Sequence, residues 1–295
     1  MAAPDYSLDS APIAARSDAS SPAMPTSLIA PSGGWFDLDL REVWNSRELL
    51  LFLVWRDLKV RYKQTVIGVA WVVIQPLLTM LVFSFFFGRL AKMPSGGLPY
   101  PLFYYCALLP WTYFAGALNA ATQTIIEHER VITKVYFPRV LLPMSAVMSG
   151  LVDAAVSFAI LIGMCVFYHV IPRATTLLLP LFMLLAVATA LGMGLWLSAL
   201  NALYRDVRHA IPFLIQLWMF LSPVAYPSTL IPLKWRTLYG LNPIAGVVEG
   251  FRWALTGRGS PPGALLAVSC AVVLVLLCSG VVYFKSMEAT IADRI

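Results

Sequence analysis

The apolar residues of this 295-residue chain fall into six long runs that are almost free of charge. A transmembrane α-helix needs about 20 predominantly apolar residues, and these runs are continuous where the strands of a membrane barrel would alternate. We therefore expect an all-α, polytopic membrane protein with six transmembrane helices. The runs cover about residues 66–88, 101–126, 140–170, 175–200, 210–226 and 262–284.

The distribution of charge orients these helices. Charged residues make up 12% of the chain, whereas a soluble domain carries about 25%. With both termini in the cytoplasm, 14 of the 21 Lys and Arg residues fall on the inner side, as the positive-inside rule requires. No separate basic domain exists, so nucleic acid is not an expected partner.

The stretch from Trp55 to Pro76 changes from basic and amphipathic to uncharged and apolar just after Lys63. A helix over about 46–64 would lie flat at the cytoplasmic membrane surface, with its cations toward anionic headgroups. These cations are candidate ligands of a lipid or pyrophosphate headgroup, although fixing the orientation explains them equally well. They are Arg56, Lys59, Arg61 and Lys63.

A second charged segment, EHERVITKVYFPR (127–139), links the second and third apolar runs and is stopped by Pro138. Charged rim residues beside apolar anchors are typical of a short helix that docks into the groove of a soluble partner. An ordinary inner loop is the alternative. The candidate docking residues are Glu127, Glu129, Arg130, Ile132, Lys134, Tyr136 and Phe137.

The chain carries no visible motor or hydrolytic site, because GxxxxGK[ST], HExxH and GxSxG are all absent from its sequence. Energy must then come from an ion gradient or a partner ATPase. Asp153 is nearly the only ionisable residue within a run, which weighs against an ion-driven carrier and against an intramembrane transferase. A charge at mid-depth costs about 2.5–3.5 kcal/mol, so we expect Asp153 to be paired, protonated or facing water. The four cysteines lack ligand spacing and are expected to be buried hydrophobes, with no metal site.

Four motifs carry a family resemblance over about residues 45–285. They are WRDLKVRYKQTVIGVAWVVIQPLLTMLVF (55–83), ITKVYFPR (132–139), LNALYRDVRH (200–209) and LNPIAGVVEGFRWALTG (241–257). The chain resembles the membrane subunit of a type-2 ABC transporter. It is most similar to permeases that export O-antigen and related cell-surface polysaccharides.

The resemblance implies a non-enzymatic permease that forms a homodimer and binds two separate nucleotide-binding subunits. Those subunits would hold ATP and Mg²⁺, and no cofactor is expected in this chain. The substrate would be an undecaprenyl-pyrophosphate-linked polysaccharide that moves outward across the bacterial inner membrane. A same-superfamily permease for a small lipid or drug is the alternative, and O-antigen, capsule and teichoic acid are not distinguished.

The resemblance also divides the chain. It implies a coupling helix within 127–137, the interface helix in 46–64, and short outer re-entrant helices in 227–257. We expect a disordered cytoplasmic tail over 1–34, a surface segment and interface helix over 35–64, the transmembrane domain over 65–285, and a cytoplasmic tail over 286–295.

Aromatic residues crowd the second apolar run. Such side chains offer an apolar face and a polar tip, so they could line a channel that passes sugars without holding them. Packing against lipid or helices is the alternative. The candidate lining residues are Tyr104, Tyr105, Trp111, Tyr113 and Phe114.

Overall fold

A computed structural model describes residues 40–63, 68–134, 137–171, 173–204, 206–257 and 261–294. Within these ranges the regular structure is helical and no strand occurs, which confirms the all-α expectation. The predicted disordered tail, 1–34, lies outside the described residues.

The helices follow one another along the chain with short connections. They are α1 (Leu40–Asn45), α2 (Arg47–Lys63), α3 (Gly68–Phe83), α4 (Tyr100–Glu127), α5 (Glu129–Ile132), α6 (Leu141–Phe167), α7 (Leu179–Leu203), α8 (Val207–Leu221), α9 (Leu233–Tyr239), α10 (Pro243–Thr256) and α11 (Gly263–Arg294). A π-helical segment, Ser84–Leu90, continues α3, and short 3₁₀ turns precede α7 and α9.

Four segments of the described chain are long and apolar enough to cross a membrane: Ala70–Leu90, Leu141–Phe167, Ala174–Leu203 and Gly263–Glu288. The shorter apolar helix α8 joins them. These segments make the chain a multi-pass membrane protein, and a count of six crossings, which adds α4 and α8, remains a prediction.

Helix α4 has 28 residues, which is enough to cross, but it contains more polar side chains than its neighbours. The structure explains this difference, because α4 lies at the centre of the bundle and packs on α3, α6, α7 and α10. Most of its side chains are buried against protein. A helix that faces protein rather than lipid can carry hydroxyl and amide groups if neighbouring helices satisfy them.

Small residues let the helices around α4 approach closely. An ideal Cβ at Gly280 of α11 would lie 2.3 Å from the carbonyl oxygen of Gly192 in α7. Beside this contact, the rings of Trp196 and Tyr283 stack with centroids 4.0 Å apart. Close backbone approach through glycine is a common way to pack helices in membranes, where van der Waals contact drives association.

The two ends of the bundle differ in the elements that form them. At the end where α4 gives way to α5 and α6, hereafter the α5 end, one apolar cluster joins α2, α4, α5, α6, α7 and α11. At the opposite end, hereafter the far end, α9 and α10 lie within the segment 227–257, where two short helices were expected.

Two helix limits differ from the sequence expectation. The helix within 127–137 is a single turn, Glu129–Ile132, and Thr133 caps it: the backbone N–H of Thr133 donates to the carbonyl of Glu129, and its hydroxyl donates to the carbonyls of Glu129 and Arg130. Conversely, α11 continues to Arg294, through the segment that was expected to be a tail.

Candidate functional site

The α5 turn presents a charged surface. Glu127, Glu129, Arg130 and Lys134 are exposed, as is the apolar Val131. Tyr136, which was also predicted to dock with a partner, lies outside the described residues. The exposed charges suit the rim of a docking surface, and contact between these residues and a partner remains a prediction.

Ile132 and Phe137, in contrast, are buried in the subunit itself. Both belong to the apolar cluster at the α5 end, with Leu53 of α2, Leu141 of α6 and Phe284 of α11 among its members. Packed interiors resist compression and transmit displacement. Ile132 and Phe137 therefore fasten the charged turn to the helices behind it.

His128, between α4 and α5, makes a second connection. Its Nδ1 lies 2.7 Å from the carbonyl oxygen of Thr124 and its Nε2 lies 2.5 Å from Nη2 of Arg56. An arginine can only donate, so Nε2 accepts the hydrogen bond and the proton resides on Nδ1, which donates to Thr124. The interface helix α2 is thus hydrogen-bonded directly to the junction that carries α5.

The same arginine extends the connection to α6. Arg56 pairs with Asp57 at 2.8 Å, and the Ser145 hydroxyl donates to Asp57 Oδ2 at 3.3 Å. In addition, the backbone N–H of Arg139 donates to the carboxylate of Glu288 in α11, and the guanidinium of Arg139 donates to the backbone carbonyl of Glu288. Polar contacts therefore accompany the apolar cluster at the α5 end.

Asp153, whose partner could not be named from sequence, is paired. Arg61 Nη1 lies 2.6 Å from Asp153 Oδ2, and the Tyr62 hydroxyl donates to Oδ1. Burial, and then the hydrogen bond to Asp153, raise the pKa of Tyr62 to about 12. The C-terminal turn of α2 is consequently docked on the middle of α6 by a charged contact.

The four cations of α2 divide into two kinds. Arg56 and Arg61 are engaged in contacts with protein. Lys59 and Lys63 are exposed, and Lys59 Nζ lies 5.3 Å from the centroid of the Trp55 ring. Headgroup binding by the four remains a prediction, and the exposed pair is the part of the set available for it.

The five aromatic candidates for a channel wall are all buried within the subunit. Tyr105 and Tyr113 donate hydrogen bonds at 3.2 Å to the carbonyls of Ser157 and Val147, which attaches α4 to α6. In this conformation Tyr104, Tyr105, Trp111, Tyr113 and Phe114 act as packing residues. Their role in lining a pathway remains a prediction.

The described cysteines and acidic residues were predicted to form no metal site. Among the described residues, no group of three or more His, Cys, Asp and Glu side chains could hold a metal ion. Cys106 and Cys165 are buried, as expected, whereas Cys270 is half-buried and Cys278 is exposed on α11.

Long apolar helices packed around the central helix α4 define a multi-pass helical membrane protein. The chain belongs to the ABC-2 type transporter family, whose model matches residues 48–256. This membership confirms the resemblance to type-2 ABC permeases. It implies an ATP-binding partner subunit.

Several relatives carry names. The chain is 30% identical over 258 residues, 87% of its length, to the O-antigen export system permease protein RfbA of Myxococcus xanthus, of which it covers 98%. It is 29% identical over 206 residues to a protein of the same name from Klebsiella pneumoniae, covering 70% of this chain and 79% of that protein. It is also 21% identical over 239 residues to the polysialic acid transport protein KpsM of Escherichia coli, covering 81% and 92%.

Proposed function

We propose that this chain is the membrane permease of an ATP-driven exporter that moves lipid-linked polysaccharide outward across the bacterial inner membrane. The observation that carries the proposal is the 30% identity to an O-antigen export permease over nearly the whole of both chains. A second relative, named for polysialic acid, is also a carrier of a carbohydrate polymer. Relatives of both kinds favour a glycan over a small lipid or drug.

The assembly is two copies of this chain with two ATP-binding subunits, which hold ATP and Mg²⁺. Both termini and the α5 end face the cytoplasm, as the excess of Lys and Arg on that side favours. Apolar side chains exposed on α3 and α8, such as Leu78 and Phe213, are available to cover a second copy or to face lipid. The exposed charges of α5 are the rim that meets the ATP-binding subunit.

Closure of the two ATP-binding subunits displaces α5, and the displacement passes to the bundle by two routes. One is the apolar cluster that holds Ile132 and Phe137. The other is the Arg56–His128 hydrogen bond, which carries α2 along with the α4–α5 junction. A path for the glycan then opens between the two copies, and Lys59 and Lys63 attract the anionic head of the lipid carrier.

Deletion of the gene in its host tests the proposal. Surface polysaccharide should disappear and lipid-linked glycan should accumulate at the cytoplasmic leaflet, and a plasmid copy should restore export. A Glu129→Lys/Arg130→Glu variant should insert normally but fail to retain the ATP-binding subunit on purification. Lys234→Glu reverses an exposed charge at the far end and serves as the control. Unchanged surface glycan in the deletion strain would contradict the function.

A further inference from the structure

The far end of the bundle contains a cavity of about 690 Å³ between α9, α10, the start of α11 and the loop before α4. Sites for small molecules usually occupy about 300–1,000 Å³. The wall contains two guanidinium groups, a carboxylate, an indole and several hydroxyls beside its apolar side chains. The side chains that matter most are Arg236, Glu249, Arg252 and Trp253.

Arg252 gives this wall a fixed shape. It is buried, donates to the carbonyls of Val224 and Tyr226 at 3.0 and 3.3 Å, and pairs with Glu249 at 3.2 Å. Its guanidinium carbon lies 4.0 Å from the centroid of the Phe103 ring. These contacts tie the loop after α8 to α10, so the cavity is formed before any ligand arrives, which lowers the entropic cost of binding.

Arg236 is not held in this way, because the ion pairs in the described part of the chain do not include its guanidinium. Its Nε, like the Nε of Arg252, is shielded from solvent and has no hydrogen-bond partner among the described residues. Placing an arginine donor away from water without a partner is costly, and an anionic group in the cavity would satisfy it.

Glu249 and Trp253 narrow the choice of ligand. Glu249 Oε1 already accepts from Arg252 and from the backbone N–H of Ser228. A carboxylate offers several acceptor sites, so Glu249 can also accept hydrogen bonds from sugar hydroxyls. The half-buried indole of Trp253 supplies a flat apolar surface against which a pyranose ring can lie.

We propose that the far-end cavity binds one sugar residue bearing an anionic group, a carboxylate or a phosphate ester, from the glycan that has crossed the membrane. Arg236 binds the anionic group, Trp253 packs against the face of the sugar ring, and Glu249 accepts hydrogen bonds from the ring hydroxyls. The proposal rests on the proposed function, since the far end is the outer side only in that orientation. A site there would hold the emerging polymer and oppose its return.

Calorimetry on the purified complex of permease and ATP-binding subunit in lipid nanodiscs tests this site. The probes are a disaccharide containing glucuronic acid, glucose 1-phosphate, the neutral glucose disaccharide, glycerol phosphate and inorganic phosphate. The two anionic sugars should bind at least tenfold more tightly than the neutral sugar. Arg236→Gln should abolish that preference and Trp253→Leu should weaken all sugars.

Lys234→Gln is the matched control, because Lys234 is an exposed cation on the same helix that does not line the cavity. Equal affinity for charged and neutral sugars, or no binding of any probe, would overturn the proposal. So would glycerol phosphate or inorganic phosphate binding as tightly as the anionic sugars, since the site would then recognise a lipid headgroup or a simple anion. Export is measured separately in cells, so a wild-type complex that exports glycan but binds none of the probes refutes the cavity proposal and leaves the proposed function standing.

Discussion

Arg61→Gln and Lys63→Gln distinguish docking of the interface helix from lipid binding. The two cations lie two residues apart at the end of α2, and both are candidates for a headgroup site. Arg61 lies 2.6 Å from Asp153, whereas Lys63 is exposed. If α2 is fastened to α6 by the ion pair, only the Arg61 variant should loosen it.

The size of the effect follows from the burial of the pair. A hydrogen bond to a charged group contributes about 1.5–3 kcal/mol, and a fully exposed ion pair about 0–1 kcal/mol. The Arg61 and Asp153 side chains are 38% and 29% exposed, so we take about 1–2 kcal/mol as the direct loss. The carboxylate left within an apolar helix adds about 1 kcal/mol, well below the full cost at the bilayer centre because it is partly exposed.

Hydrogen exchange measures this loss directly. In nanodiscs the amides of α2 report the free energy of local opening, and a loss of about 2–3 kcal/mol should speed their exchange roughly 30- to 140-fold. Lys63→Gln should change the opening free energy by less than about 0.5 kcal/mol. Adding Asp153→Asn to Arg61→Gln should recover part of the loss, because no unpaired carboxylate remains.

Equal acceleration in the Arg61 and Lys63 variants would refute the docking interpretation and favour a general role of charge at the membrane surface. Failure of Asp153→Asn to recover any protection in the Arg61→Gln background would refute the pairing itself. Export by each variant, measured in parallel, shows whether docking of α2 matters for transport.

Three further outcomes follow from individual contacts. The Cβ of Gly280→Ala would lie 2.3 Å from a backbone oxygen. This variant should destabilise the detergent-solubilised protein by about 1–3 kcal/mol, measured by thermal unfolding. The control is Gly163→Ala, whose Cβ would have no atom within 4 Å and which should leave Tm unchanged. The pKa of Tyr62 is raised to about 12, so the contribution of its hydrogen bond to stability is complete below pH 10 and is lost as the pH rises through about 12. The difference in tyrosinate absorbance between wild type and Tyr62→Phe should show a phenol that titrates in that window. A phenol that titrates at the ordinary pKa would contradict the contact between Tyr62 and Asp153. His128→Leu removes the hydrogen-bond acceptor of Arg56 and should raise the number of ATP molecules hydrolysed per glycan exported. The control is His209→Leu, which alters an exposed histidine at the start of α8 and should not change this ratio. Equal effects of the two variants would contradict a role of the Arg56–His128 hydrogen bond.

The sequence is sufficient to locate most of the helices, because bilayer thickness sets a length that apolar runs must reach. The limits of α6 and α7 lie within a few residues of the predicted runs. Helix α4 shows the boundary of this reasoning. Its polar side chains lower its hydropathy, and only the position of its neighbours reveals that it is shielded from lipid.

The polar contacts of α2 could not be predicted in the same way. Arg61 and Asp153 are 92 residues apart in sequence, and their pairing depends on where α2 lies along α6. Charge pattern alone assigned Arg56 and Arg61 to the membrane surface, although the structure engages both with protein. His128 was not among the functional residues predicted from the sequence. Its position at the boundary between an apolar run and a charged turn was the one sequence feature that could have indicated its role.

Aromatic density was an equally incomplete guide. A cluster of Tyr, Trp and Phe in one run is compatible with a channel wall and with a packed core. Tyr105 and Tyr113 direct their hydroxyls to backbone carbonyls of α6. Such bonds depend on the neighbouring helix, which the spacing of aromatic residues along one run does not specify.

The shortness of α5 bears on the proposed coupling to an ATP-binding subunit. An isolated helix shorter than about 12–15 residues is marginal in water, so the four-residue turn Glu129–Ile132 cannot hold its own position. Its position is set by Ile132 in the apolar cluster and by His128, which is bonded to Arg56 of α2. If a partner displaces α5, as we propose, we therefore expect α2 and the helices of the cluster to move with it.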